Sequence, residues 1–73
     1  MSLETIAITQ PYITLTQALK ETGIIATGGQ AKWFLQDNPV LVNQEPEQRR
    51  GRKLYPGDTL EVAAQTFEIQ AQV

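Results

Sequence analysis

The chain has 73 residues, 41% of them hydrophobic and 19% charged, and carries a formal net charge of −2. It contains neither cysteine nor histidine, which excludes a disulfide framework, the usual zinc sites and any nucleophile–histidine pair, and lowers the expectation of an enzyme. One domain over residues 1–73 is expected, near the lower limit of what folds unaided. No apolar run approaches the roughly 20 residues that cross a bilayer, and Met1-Ser2-Leu3-Glu4-Thr5 lacks the basic region and long apolar stretch of a signal peptide. A cytoplasmic protein with no membrane partner is the expectation.

Residues Leu3 to Thr9 alternate, with Ile6 and Ile8 on one side, and read as a first strand that Gln10-Pro11 ends. Thr14-Leu15-Thr16-Gln17 is a capping box, followed by Leu15, Ala18 and Leu19 as the apolar stripe of a two-turn helix. Gly23 is its expected stop. Thr27-Gly28-Gly29-Gln30 reads as a second capping box, with Gly28 and Gly29 in the first helical positions and Ala31, Phe34 and Leu35 as the packed face. Bare N–H groups at that helix start make a plausible phosphate seat. Lys32 lies on the outward flank.

Asn38-Pro39 ends the second helix, Val40-Leu41-Val42 reads as a strand and Asn43-Gln44 as a turn. Glu45 to Lys53 is polar and reads as a hairpin arm or loop whose charges stand in solvent. Tyr55-Pro56-Gly57-Asp58 fits a type II turn, with Asp58 bonding backbone N–H groups. Thr59 to Ala63 reads as a strand, Ala64-Gln65 as a turn, and Thr66 to Val73 as a last strand with Phe67, Ile69, Ala71 and Val73 on one face, paired with the first. The result is an α+β fold: two short helices forming an αα-corner against a small, largely antiparallel sheet.

Charge is distributed unevenly. Four of the six basic residues, Arg49, Arg50, Arg52 and Lys53, fall within five positions, whereas the eight acids are spread along the chain. Screening over about 8 Å makes the local potential matter more than the total, so a basic patch on an acidic body suits an anionic partner. Glu45 and Glu47 flank the cluster and are expected to pair with it, so that replacing both by Gln would tighten nonspecific binding to such a partner. Trp33 falls opposite the packed face; it either covers the side of the core or offers a platform for an unstacked base. Tyr55, next to Pro56, is expected to be structural, and Tyr12 is left undecided. No carboxylate pair, metal-ligand cluster or Walker-type motif accompanies these features. Neither a catalytic residue nor a metal or cofactor is assigned.

In order and spacing, Thr27-Gly28-Gly29-Gln30-Ala31-Lys32, Val40-Leu41-Val42-Asn43, Arg49-Arg50-Gly51-Arg52-Lys53 and Gly57-Asp58 resemble the RNA-binding domain named after ribosomal small-subunit protein four, and most closely its small stand-alone bacterial members. The resemblance covers residues 13–62. It implies an L-shaped surface, helical corner beside bent hairpin, that docks on structured RNA, ribosomal or transfer, with a ribosome or ribosomal precursor as partner and a monomeric protein. Its contact residues, carried over by position, are Thr27, Gly28, Gly29, Gln30, Lys32, Arg49, Arg50, Arg52 and Lys53. Two departures stand out: Gly28 where many members have arginine, and Gln44 where the turn commonly has glycine. The first and last strands resemble an extension of the stand-alone members. The alternative is a β-grasp-like protein-interaction module without nucleic acid, although such carriers end in Gly-Gly and this chain in Ala71-Gln72-Val73.

Overall fold

A computed structural model describes residues 3–72. The chain runs β1 (Leu3–Ile8), β2 (Ile13–Thr14), α1 (Leu15–Glu21), α2 (Gln30–Asp37), β3 (Val40–Val42), β4 (Glu45–Glu47), β5 (Lys53–Leu54), β6 (Thr59–Val62) and β7 (Gln65–Ala71). Five strands form one sheet in the order β1-β7-β6-β3-β4, antiparallel throughout except for the parallel β1–β7 pair at one edge. β2 and β5 make a separate two-stranded ribbon.

Period-two alternation sends Ile6, Ile8, Val40, Val42, Leu60, Val62, Phe67 and Ile69 to one face of the large sheet, where they form a single core with Leu15, Ala18 and Leu19 of α1 and Ala31 and Leu35 of α2. The opposite face carries Leu41, half-exposed Glu61 and Glu68, and Thr66. Neither helix is long enough to persist alone in water, so burial of these stripes holds them. Among the described residues no helix is long and apolar enough to cross a membrane.

α1 is closed at both ends as the sequence dictates. Thr14 and Gln17 exchange the two bonds of a capping box. At the other end Gly23 takes φ +79°, and the Ile24 and Gly23 N–H groups donate to the Leu19 and Lys20 carbonyls at 3.1 and 3.0 Å, completing a Schellman closure.

Both hairpins of the large sheet turn on two residues at positive φ, the geometry that matches strand twist. Asn43 (φ 53°) and Gln44 (φ 73°) join β3 to β4, so the turn forms without the usual glycine. Ala63 (φ 54°) and Ala64 (φ 64°) join β6 to β7, which moves that turn one residue ahead of the expected Ala64-Gln65. Gln65 belongs to β7, paired with Val62. The expected inward face of the last strand holds for Phe67 and Ile69 but ends there, since Ala71 is exposed; Val73 lies outside the described residues.

Two alanines in the left-handed region cost about 1–2 kcal/mol each, which exceeds the 0.4–1 kcal/mol that glycine loses through its freer unfolded chain. Ala64→Gly is therefore expected to stabilise the domain by about 0.5–1 kcal/mol, raising Tm by a few degrees in thermal melts. An unchanged or lower Tm would mean the turn carries no such strain.

Candidate nucleic-acid interface

The basic cluster is built around a buried acid. Register places Glu47 opposite Val40, on the inner face at the sheet's edge, where it is only 7% exposed. A carboxylate removed from water must have its lone pairs satisfied, and here five bonds do so. The Gln48 and Arg49 backbone N–H groups and the Arg49 Nε–H all donate to Oε2, at 3.1, 3.1 and 3.0 Å. Arg49 Nη2 and Arg52 Nη1 donate to Oε1, at 3.0 and 2.7 Å. The expectation that charges from 45 to 53 stand in solvent is thus corrected. Glu45–Glu47 is a strand, Glu47 is buried, and Arg52 is half-buried. The pairing expected of both glutamates is made by Glu47; among the described residues Glu45 makes no ion pair.

Closing round Glu47 turns the loop's carbonyls toward α1. The Leu15 N–H donates to the Arg52 carbonyl at 2.8 Å, and the Thr16 N–H and hydroxyl both donate to the Arg50 carbonyl at 3.1 and 2.9 Å. The first N–H groups of α1 are therefore occupied by protein. The Arg50 side chain is left exposed, as is most of Arg49.

The start of α2 differs from the capping box read in the sequence. The helix begins at Gln30, and Gly28 and Gly29 precede it in a tight turn closed by Gln30 N–H to Thr27 carbonyl and Ala31 N–H to Gly28 carbonyl, both 3.1 Å. Thr27 makes no side-chain cap, because Gln30 N–H already donates to the Thr27 carbonyl. Only the return half exists: Gln30 Oε1 accepts from the Ala26 and Thr27 N–H groups, at 2.7 and 3.1 Å. Among the described residues, neither the Gly28 nor the Gly29 N–H has an acceptor. The backbone itself does not require glycine here: Gly29 is right-handed (φ −66°, ψ −20°), and a Cβ on either residue would meet nothing closer than 3.7 Å.

That 3.7 Å neighbour of Gly28 is the Thr16 methyl, the same residue whose hydroxyl holds the Arg50 carbonyl. Thr16 thus brings the glycine turn and the basic loop side by side. Sequence reading missed it, since a threonine one step inside a helix gives no such signal. Lys32 is exposed one turn into α2, and its ammonium lies 5.6 Å from the ring centre of Trp33. Trp33 is 65% exposed, which rules out its covering the core. Lys53 extends the other way, its ammonium 5.0 Å from the ring centre of Tyr12.

The S4 domain family matches residues 6–70. This chain belongs to the S4 domain family. The match takes in half of β1 and most of β7 as well as the helical corner. A relative from Bacillus subtilis (strain 168), a "probable ribosome maturation protein RlbA", is 56% identical over 57 residues, spanning 78% of this chain and 80% of its own. In this S4 domain, eight of the nine candidate contact residues lie in the turn, the following helix turn and the loop, and Lys53 opens β5; Gly28 and Arg52 are half-buried and the other seven exposed.

The Arg49 side-chain fork, first among the causes, lowers the Glu47 pKa from 4.5 to about 2 against the opposing effect of burial. A depressed carboxylate stabilises the fold fully above its unfolded pKa and loses that contribution as pH falls toward the folded one. The wild type is expected to lose stability between about pH 5 and pH 2. Glu47→Gln should cost about 1–3 kcal/mol at pH 7 and flatten that acid limb. Equal acid dependence in the two proteins, followed by denaturant unfolding, would exclude Glu47 as its source.

Proposed function

We propose that this protein binds structured RNA of the ribosomal class, engaging backbone phosphates with the Gly28-Gly29 turn, Lys32, Arg49, Arg50 and Lys53. The observation that carries this reading is the juxtaposition across Thr16 of two open N–H donors and a loop whose arginines are held in place. Family membership supports it, as does the relative's description as a ribosome maturation protein. A-form RNA hides its base edges in a deep, narrow groove, so a small rigid surface reads backbone geometry and shape. Gly28 and Gly29 fit this role because without side chains the phosphate can approach the helix start, where partial positive charge concentrates. Arg52, spent largely on Glu47, contributes orientation more than contact. Thr27 and Gln30 fix the turn, and Trp33, exposed beside Lys32, is available to an unstacked base.

With about four phosphates neutralised, log K against log salt should fall with a slope of roughly −3 to −4. Arg50→Ala is expected to reduce the magnitude of that slope by roughly 0.7–0.9 while leaving Tm unchanged, because the contacts of Arg50 with α1 use its carbonyl. Titrations of a structured RNA and a matched DNA duplex by fluorescence anisotropy measure this. Absence of RNA binding by the folded protein at low salt would remove this reading and favour a protein-interaction module.

A further inference from the structure

A pair of tyrosines adjoins the basic loop, and one of them, Tyr55, shares a groove with its cations. Pairing of β2 with β5, Ile13 opposite Leu54, brings the residues just outside the ribbon together. Tyr12 and Tyr55 meet there with ring centroids 5.6 Å apart and planes tilted 45°. Both are exposed, Tyr55 by 48%. The two rings adjoin one another, so they make a local aromatic patch at the surface.

The Tyr55 ring forms one wall of an open groove otherwise lined by Arg49, Gly51, Arg52 and Lys53. A Cβ built on Gly51 would meet nothing within 4 Å, so that side is unobstructed. Hydrogen bonds hold the backbone on both sides of the groove. Tyr55 N–H donates to Asp58 Oδ2 at 2.8 Å, and Asn43 Nδ2 donates to Asp58 Oδ1 at 3.1 Å, tying the Tyr55–Asp58 turn to the β3–β4 hairpin. On its other wall Glu47 fixes the Arg49 guanidinium with a two-bond fork, leaving its remaining N–H groups facing outward.

An aromatic wall, a bare-backbone side and two or three cations at one groove match the three parts of a nucleotide. We propose that this groove receives one unpaired nucleotide, its base stacked on Tyr55 and its phosphate held by Lys53 and Arg49. The proposal rests on the RNA-binding reading and deepens it: the preferred target is a helix carrying a bulged or looped-out base, not a continuous duplex. Tyr12 packs against Tyr55 and keeps the Lys53 ammonium 5.0 Å from its own ring centre, beside the groove that Lys53 lines.

The test compares an RNA hairpin bearing a single-nucleotide bulge with the same hairpin fully paired, by anisotropy at fixed salt, for wild type, Tyr55→Ala, Tyr55→Phe and Trp33→Ala. Stacking of one base predicts a preference of roughly 5- to 100-fold for the bulged hairpin in the wild type. Tyr55→Ala should abolish that preference and keep the affinity for the paired hairpin, whereas Tyr55→Phe, which retains the ring, should keep both. Placing 4-thiouridine at the bulge should give a photo-crosslink mapping to Tyr55 or Tyr12. Wild-type binding with equal affinity for the two hairpins would overturn the proposal and leave the RNA reading standing. So would a preference lost in Trp33→Ala and kept in Tyr55→Ala, which would move the platform to α2. Failure of the wild type to bind either hairpin would remove both readings together.

Discussion

The Glu47 carboxylate is the point on which the cationic side of this molecule depends. An acid at the inner face of an edge strand is costly unless fully bonded, and bonding it requires the chain that follows to curl back at once. Gln48 and Arg49 do so with their backbone and Arg49 and Arg52 with their side chains. The consequences run outward from there. The curled loop presents its carbonyls to the N-terminus of α1, completing the satisfaction of that helix end. It delivers β5 to β2, which closes the small ribbon and sets Tyr12 beside Tyr55. It also separates the arginines by role: Arg52 inward on the acid, Arg49 forked against it with an outer edge free, and Arg50 outward.

The same topology concentrates the positive charge in one place. The net charge of −2 belongs to a molecule whose outer sheet face carries Glu61 and Glu68, while the arginine loop and Lys32 lie with the helical corner, whose helices end on the exposed acids Glu21 and Asp37. Since exposed charges are screened over about 8 Å at physiological salt, the acidic face does little to cancel the potential at the loop. It can, however, help orient an approaching polyanion. The glycine turn before α2 complements this. Both glycines precede the helix and no backbone angle demands them; without side chains they leave the turn's N–H groups uncovered.

Much of the fold was legible because several signals were local and mutually consistent. The Thr14–Gln17 box, the Gly23 stop and the Pro-Gly turn at Gly57 (φ +99°) each specify a backbone geometry within four residues. Strand alternation identified the buried Ile6 and Ile8 of β1 and Phe67 and Ile69 of β7, but also expected Ala71, which is exposed, and Val73, which lies outside the described residues. What escaped was set by partners distant in sequence or by turns without their usual residues. Ala63-Ala64 carries no turn signature, and strand register, which fixes the hairpin, outweighs the cost of two left-handed alanines. Glu47 looked like one more charge in a polar run, because its burial follows from pairing opposite Val40. At Thr27–Gln30 a pattern that fits a capping box folds as a turn, since the Gln30 side chain takes two backbone donors upstream and the Thr27 carbonyl takes the Gln30 N–H. The candidate contact residues were found by composition and resemblance; that Thr16 joins their two halves required the three-dimensional contacts.

The central claim is that a buried acid organises a basic surface for RNA, and its most direct test is the affinity of Glu47→Gln for a structured RNA at moderate salt, beside Glu45→Gln as a matched charge control. Loss of one negative charge should strengthen binding in both variants if electrostatics alone decides. If Glu47 preorganises Arg49 and Arg52, Glu47→Gln must instead bind roughly tenfold more weakly despite its more positive charge, through the cost of immobilising two freed side chains, while Glu45→Gln binds as tightly as wild type or tighter. Equal or tighter binding by folded Glu47→Gln would contradict the account.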